Sequence, residues 1–358
     1  MKKYYDRGKK SDFLSKCPEP FTELNLIAEY KMQESTQDDL IRDFKRRVEA
    51  TLPNLPVANW GYGIDFHVSY GSSNYGFRNS RYFIEPAGQR FFHLTSYRNL
   101  FSIINSGTFR LYNLSNSDDA NELSSFKDVG LTQDQIDRIK ERIFTMSFCN
   151  VMDIANKQLW DEYGKVAIVF EILNGATTWN NFHLSKVYYE PNTAFREYFV
   201  LEQEFKKRLK IDFSHDSLRD LIAFHKNEEL KWEREIRLMY LPSLYEHQYD
   251  ELDDFKTSEH HTGFTRYIEL ALFVENSGIT WAELDRRRVN QNLSETYYID
   301  RPKIKITAIK FGDNEEFMDQ EKFDKLYYEI KFYLMAKFGY SIEVDQQLFH
   351  TDLKPTKK

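Results

Sequence analysis

Two pairs of polar residues set in apolar, strand-like sequence are the part of this chain that could do chemistry. His93 and Thr95 are two residues apart in one run, and Glu233 and Glu235 are two residues apart in another. Because alternate residues of a strand point to the same face, each pair is expected to converge on one spot. An imidazole beside a hydroxyl can hold a ribose diol. Two carboxylates can stabilise positive charge on a sugar carbon and orient or deprotonate the attacking nucleophile.

Both pairs also have a purely structural interpretation. A lone histidine on an apolar strand is more often a core residue bonded to the backbone than a ligand. Glu233 and Glu235 could equally form an exposed edge-strand face partnered by Arg237. Against this, polar groups that converge inside an apolar run are costly unless they bind each other or a ligand. The sequence leaves both interpretations open.

The flanking sequence predicts the elements that position these pairs. The apolar run that holds His93 changes to helical periodicity at Tyr97, and the helix is expected to end at Gly107. From Trp232 to Leu241 apolar residues alternate with period two, which predicts a strand carrying both glutamates on the face of Arg237. A helix and two strands are therefore expected to support the candidate site.

The rest of the chain predicts further helices and strands without an internal repeat. Predicted helices cover residues 21–31, 36–48, 132–142, 194–227 in two segments, and 315–337. Predicted strands cover residues 143–149, 165–172, 183–190, 267–274, 303–311 and 339–344. Strands outnumber what a helical bundle would need and helices cluster as insertions, so the predicted fold class is α+β.

Three regions are expected along the chain. Residues 57–89 are rich in Gly, Asn, Ser and Tyr without clear periodicity and are interpreted as irregular. Residues 1–84 are therefore expected to form a helical N-terminal extension with a linker, residues 85–350 the main domain, and residues 351–358 a frayed tail.

Composition and charge exclude several classes of protein. An aromatic content of 16% indicates a globular chain, and a formal charge of -7 argues against a protein that coats nucleic acid by bulk charge, while leaving room for a local basic groove. The two cysteines, Cys17 and Cys149, are too few for a disulfide scaffold. No run is long enough to span a bilayer, so a cytoplasmic protein without membrane contact is expected.

The sequence lacks the common metal-binding and nucleotide-binding motifs, which argues against metalloenzymes, P-loop proteins and dinucleotide-fold enzymes. The histidines at 247, 260 and 261 lie in an acidic segment, but no HExxH or CxxC framework accompanies them, so a solvated loop is favoured over a metal site. Neither GxxxxGK[ST] nor GxGxxG occurs. No metal is expected, and a metal-dependent hydrolase is the least favoured alternative.

Several short motifs together resemble the ADP-ribosyltransferase superfamily. The opening is similar to its aromatic-His-x-Ser/Thr strand followed by a helix that ends in glycine, on residues Phe92, His93, Thr95, Asn99, Leu100, Ile104 and Gly107. Residues 90–345 also resemble a bacterial family of unknown function, through motifs at Asp118 to Glu122, Ser147 and Phe148, Trp160 and Tyr163, Glu233 to Arg237, and Ile306 to Gly312. Asp118 and Ala120 depart from the residues usual in that family. The resemblance implies a split β-sheet core with helical insertions and a helical N-terminal extension.

The resemblance also implies roles for single residues. His93 would hold the nicotinamide-side ribose of NAD with help from Thr95. Tyr112 would stack on the nicotinamide, with Tyr97 as the alternative. Asp119 would be a further NAD-binding residue. Glu235 would be the catalytic glutamate and Glu233 its preceding partner.

The expected function is NAD-dependent ADP-ribosylation of a macromolecule. NAD is consumed as substrate, and the acceptor is expected to be nucleic acid, RNA or DNA, in preference to protein. The resemblance implies a bacterial toxin or antiphage effector controlled by an antitoxin or other inhibitory protein. Glu235→Gln is expected to abolish transfer and leave the fold intact. The alternative is a non-catalytic sensor that binds a nucleotide or a partner on a decayed transferase fold.

Overall fold

The computed structural model describes fourteen stretches of the chain. They are residues 38–52, 58–62, 65–69, 75–116, 122–179, 181–190, 193–209, 212–216, 219–242, 255–260, 263–275, 279–280, 301–312 and 320–346. The predicted helix at 21–31, the tail at 351–358 and the residues Asp118, Asp119 and Ala120 lie outside them.

Helices and strands alternate irregularly along the described chain. The α-helices are α1 (38–51), α2 (Tyr75–Arg78), α3 (Tyr97–Ser106), α4 (Gln133–Arg142), α5 (Lys157–Tyr163), α6 (Thr193–Leu209) and α7 (Gln320–Phe338). The strands are β1 (Ala58–Tyr62), β2 (Asp65–Ser69), β3 (Arg90–Thr95), β4 (Thr108–Asn113), β5 (Phe144–Asn150), β6 (Val166–Ile172), β7 (Phe182–Lys186), β8 (Asp212–Asp216), β9 (Ile236–Tyr240), β10 (Lys256–His260), β11 (Gly263–Ala271), β12 (Phe273–Val274), β13 (Ile279–Thr280), β14 (Ile304–Phe311) and β15 (Glu343–Gln346). Short 3-10 helices cover Leu114–Asn116, Ser124–Lys127, Val151–Asp153, Ala176–Thr178, Arg219–Phe224 and Glu228–Glu233.

One large, mostly antiparallel sheet organises these elements. Its main path runs β10-β11-β4-β5-β3-β6-β14-β15, and β9 branches from β5 to carry β7. Only the β14–β15 pairing in this sheet is parallel among the described strands. A separate sheet joins β1, β2 and β8, and β12 pairs with β13. The structure is thus α+β, as the sequence predicts at that level.

Strand β5 is where the sheet divides. It pairs with β4 at Phe144 and Thr145, and with β3 at Cys149 and Asn150. β3 and β4 therefore meet β5 at opposite ends, and Ser147 lies between the two contacts. Residues 146–148 of β5 therefore pair with neither β3 nor β4.

Alternation along β5 separates two sides of the core. Phe144, Met146 and Phe148 belong to the largest apolar cluster, with residues from α7 and β14. A second cluster lies under α1, α4 and α6. The intervening β5 residues, Thr145 and Ser147, are polar. The site described below is built on this polar side of β5.

Two predicted segments differ from the structure. The irregular segment at 57–89 contains strands β1 and β2, and β2 pairs with β8, whose residues are distant in sequence. The helical segment at 194–227 is one helix, α6, followed by β8 and a 3-10 helix. Both predictions were wrong for one reason: long-range strand pairing leaves a weak periodic signal in short, Gly- and Asp-containing strands.

The described part of the N-terminal region packs on the main domain. Arg47 forms an ion pair with Glu204 at 2.9 Å, and the Phe44 ring stacks on that of Phe205 at 4.3 Å between centroids. α1 therefore covers one face of α6. The boundary at residue 84 stays a prediction.

None of the described helices is long and apolar enough to cross a membrane.

Candidate functional site

The backbone before β9 does not follow the predicted alternation. Glu233 ends a 3-10 helix, Arg234 adopts a left-handed conformation with φ 48°, and β9 begins only at Ile236. The prediction that both glutamates share one face of a strand was therefore wrong. The left-handed residue turns the chain, and both carboxylates are brought to the same cation, Lys226.

The exposed edge-strand interpretation of the two glutamates was wrong as well. β9 lies between β5 and β7. Glu233 and Glu235 are 3% and 5% exposed. Burying carboxylates to this extent requires partners, since an unpaired buried charge costs several kcal/mol.

Glu235 has partners on both carboxylate oxygens. Oε1 accepts hydrogen bonds from the Ser147 hydroxyl and from Arg237 Nε, the latter at 2.8 Å. Oε2 lies 2.8 Å from Lys226 Nζ. The backbone N–H of Glu235 donates to the Tyr189 hydroxyl at 3.1 Å. The carboxylate is therefore fixed in position and in orientation.

The surroundings keep Glu235 ionised. Burial alone would raise the pKa of this carboxyl, but Arg237 and Lys226 outweigh it and lower the pKa from 4.5 to about 2. At neutral pH Glu235 is a fixed negative charge. A group with so low a pKa is a weak general base near pH 7, and its chemistry is electrostatic.

Glu233 occupies the other side of Lys226. Its Oε2 accepts from Lys226 Nζ at 2.9 Å and its Oε1 accepts from the Tyr163 hydroxyl. The Tyr163 ring stacks on Trp232 with centroids 6.1 Å apart and is 48% exposed. Tyr163 therefore connects the buried carboxylate to the surface. Burial, followed by the neighbouring Glu233, raises the Tyr163 pKa and keeps its hydroxyl protonated.

Arg237 extends the cluster inward. It is 2% exposed, it donates to Glu235 and to Ala223 O at 2.5 Å, and it forms an ion pair with Glu122 at 2.7 Å. Its guanidinium stays charged because Glu122 and Glu235 raise its pKa against the effect of burial. We call the whole group the carboxylate network, which consists of Glu122, Ser147, Tyr163, Lys226, Glu233, Glu235 and Arg237. Three carboxylates and two cations leave it one formal negative charge in excess.

His93, on β3, contacts the middle of β5. Its Nδ1 lies 2.9 Å from Ser147 O. Because a carbonyl can only accept, Nδ1 carries the proton and Nε2 is an acceptor. Burial lowers the pKa of His93 below 6.5, against the effect of this bond, so the ring is neutral at pH 7. The core-histidine interpretation is right about the backbone bond, but the half-buried side chain keeps Nε2 as a further acceptor.

Ser147 therefore joins the two predicted residues. Its carbonyl accepts from His93 and its hydroxyl donates to Glu235, while the residue itself is exposed. The exposed Ser147 therefore bonds to the neutral imidazole through its backbone and to the ionised carboxylate through its side chain.

The other predicted NAD-binding residues lie at different distances from Ser147. Thr95 shares the face of His93 on β3, as the sequence predicts, is 5% exposed and pairs with Val166. Tyr97 is 39% exposed and packs edge-on against Phe101. Asp119 lies outside the described residues.

Tyr112 lies beside β5 but on a different strand face from His93. It faces Thr145 across β4–β5, so it shares the side of Ser147, about 7 Å along the strand. His93 shares the face of Phe91, on the opposite side of the sheet from Ser147. The Tyr112 ring contacts Tyr267, with centroids 5.6 Å apart.

Sequence reasoning missed Lys226 and Tyr189 altogether. Glu122, Ser147 and Tyr163 lie within the short sequence motifs, which predict no role for them, and the structure places all three in the carboxylate network. Their polar character within the motifs was the available signal. Lys226 follows a 3-10 helix in ordinary loop sequence, so nothing in the sequence marked its burial.

Within the described residues, no three His, Cys, Asp or Glu side chains are grouped so that they could hold a metal ion. His247 and His261 lie outside those residues.

Comparison with known proteins adds no assignment to this geometry. No protein-family model, curated protein or solved structure matches the chain.

Proposed function

We propose that this chain is an ADP-ribosyltransferase that transfers ADP-ribose from NAD to a macromolecule. The observation that carries the proposal is the arrangement at Ser147, an exposed residue whose backbone carbonyl accepts from the neutral His93 and whose hydroxyl donates to the ionised Glu235. The resemblance of the motifs to that superfamily supports the same reaction.

The reaction would place positive charge next to Glu235. The glycosidic bond between ribose C1′ and the nicotinamide nitrogen breaks, and its electron pair leaves with neutral nicotinamide. The remaining C1′ has oxocarbenium character. The acceptor nucleophile bonds to C1′ and releases a proton. A buried carboxylate that is ionised before the reaction starts stabilises this charge without reorganisation.

His93 suits binding rather than reaction. Its Nε2 can accept a hydrogen bond from a ribose hydroxyl, while the Ser147 carbonyl fixes the ring orientation through Nδ1. A neutral ring also avoids repulsion with the pyridinium of NAD. Glu233 and Tyr163 would line the approach of the nucleophile, since Tyr163 is the exposed end of the carboxylate network.

For the acceptor we favour nucleic acid, RNA or DNA, because the His-x-Thr opening resembles the nucleic-acid-modifying members of the superfamily. The resemblance further supports a toxin or antiphage effector, held in check by an antitoxin or another inhibitory protein.

Labelled NAD tests the proposal. The protein is incubated with adenylate-labelled NAD and cell extract, and the labelled material is then digested separately with nuclease and with protease. We expect nuclease-sensitive label in the macromolecular fraction. Protease-sensitive label would change the acceptor to protein. No transferred label, with NAD intact, would refute the transferase.

A non-catalytic sensor is the second candidate, and one observation favours it. Both oxygens of Glu235 are already engaged by Ser147, Arg237 and Lys226, as in a network that only stabilises the fold. Such a protein would bind NAD or ADP-ribose without consuming either, and Glu235→Gln would leave that binding unchanged. Calorimetry with NAD, followed by analysis of the recovered ligand, separates the two candidates.

A further inference from the structure

A cavity lies at the Phe144 end of β5, away from Ser147. It has a volume of about 340 Å³, within the range of small-molecule sites. Its lining consists of Arg138, Glu141, Arg142, Phe144, Pro242, Phe255 and Arg266. Three arginines and one glutamate give it a formal excess of two positive charges in a chain whose net charge is -7.

Two aromatic rings form one wall of this cavity. Phe255 stacks on the buried Phe144, with centroids 5.2 Å apart and planes at 22°. The Arg266 guanidinium lies 4.6 Å from the Phe255 centroid and 5.8 Å from that of Phe144. If Arg266 covered the outer face of Phe255, its distance to Phe144 would approach the sum of the other two distances. Arg266 therefore lies beside the stacked pair and does not cover the outer face of Phe255, the face on which we place a ligand ring.

The arginines differ in how firmly they are held. Arg142 is fixed by the buried Asp220, to which its Nε donates at 3.1 Å. Among the described residues, the ion pair of Arg138 is with Asp134, one turn away on the surface of α4, and both side chains are more than 70% exposed. An exposed pair of this kind contributes little free energy, so an incoming anion can replace Asp134 at small cost. Arg138 and Arg266 are thus the cations that a ligand can recruit.

We propose that this cavity binds one nucleotide unit, with the base on Phe255 and the phosphate on Arg138 and Arg266. A stacking ring bordered by arginines is the arrangement with which proteins hold single-stranded nucleic acid. Phe264 extends the apolar character along β11, two residues from Arg266, and is 76% exposed. Binding here does not require the transfer reaction. The unit can come from a free nucleotide or from a strand, and these two sources share the same chemistry.

Binding measurements separate the two sources. The full chain is titrated with AMP, with inorganic phosphate, and with a fluorescein-labelled single-stranded RNA hexamer at low salt. If the bound unit belongs to a single-stranded nucleic acid, the hexamer should bind at least about tenfold more tightly than AMP. Similar affinities would identify the free nucleotide as the ligand. Binding of neither would overturn the proposal, and so would displacement of the hexamer by inorganic phosphate at equal concentration.

Substitutions of lining residues test whether the nucleotide binds in this cavity. Arg138→Gln combined with Arg266→Gln should weaken binding of whichever nucleotide ligand binds by about tenfold or more, and should reduce the salt dependence of hexamer binding by about one to two phosphate contacts. The matched control is Arg42→Gln, because Arg42 pairs with Asp39 in the same exposed, one-turn arrangement on α1. Phe255→Leu keeps the wall apolar and should weaken binding of AMP and hexamer but not of phosphate. Equal losses in the double variant and the control would overturn the assignment, as would tighter binding of an acidic peptide than of RNA.

Discussion

Replacing Glu235 by glutamine should lower both stability and activity, by amounts that the structure sets. The pKa of this carboxyl falls from 4.5 to about 2 in the folded protein. A difference of about 2.5 corresponds to about 3 kcal/mol of stabilisation from the charge, which is a ceiling. Arg237 keeps Glu122 and Lys226 keeps Glu233, so neither cation is left unpaired. We therefore expect Glu235→Gln to cost about 2 kcal/mol at pH 7, rather than to leave the fold untouched.

The cost should depend on pH in one direction. Because the folded pKa is lower than the unfolded one, the stabilisation is fully present above about pH 4.5 and is lost as the pH falls toward 2. The difference in unfolding free energy between wild type and Glu235→Gln should therefore stay constant from pH 8 to about 5.5 and shrink below 4.5.

Urea unfolding followed by tryptophan fluorescence measures this difference. Glu171→Gln is the matched control, because Glu171 makes a partly exposed ion pair with Arg90 at 3.4 Å. Such a pair contributes less than about 1 kcal/mol. Equal losses for the two variants at pH 7, or a cost of Glu235→Gln that grows on acidification, would refute the reasoning about the carboxylate network.

Three further predictions concern neighbouring residues. Lys226→Gln removes the cation shared by both glutamates and should cost about 3 to 5 kcal/mol in urea unfolding; a loss below 1 kcal/mol would mean that the pairs are not formed in solution. Gly164→Ala should destabilise the protein by more than about 1 kcal/mol, because Gly164 has φ 140° and an added Cβ would lie 2.4 Å from Thr95 O; unchanged stability would contradict this packing. Any loss of NAD affinity through protonation of His93, measured by calorimetry, should have its midpoint below pH 6.5, since burial lowers the pKa of this ring; a loss of affinity centred near pH 7 would contradict it.

The sequence predicts the two ends of the candidate site better than its middle. His93 and Glu235 stand out because a polar residue in an apolar run must be explained by a partner or a ligand. Lys226 does not stand out, because a lysine in a loop is ordinarily solvated and its burial depends on how that loop packs. The position of Glu233 was predicted from alternation, which fails where Arg234 turns left-handed.

The fold, too, can be predicted from the sequence only in part. Apolar continuity predicts β6, and helical periodicity with a closing glycine predicts α3. The β2–β8 pairing could not be predicted, since its partners are distant in sequence and neither strand carries a strong alternation. The division of the sheet at β5 depends on which neighbours pair with each end of that strand, and this information is not local.

The most direct test of the account is the release of nicotinamide from NAD at pH 7, measured by chromatography in the presence of single-stranded RNA. We predict release by the wild-type protein, release by Glu171→Gln at the same rate, and a decrease of about 100-fold or more for Glu235→Gln, measured where the variant is still folded. No release by the wild-type protein, or equal rates for wild type and Glu235→Gln, would contradict the claim that His93 and Glu235 form one NAD site around Ser147.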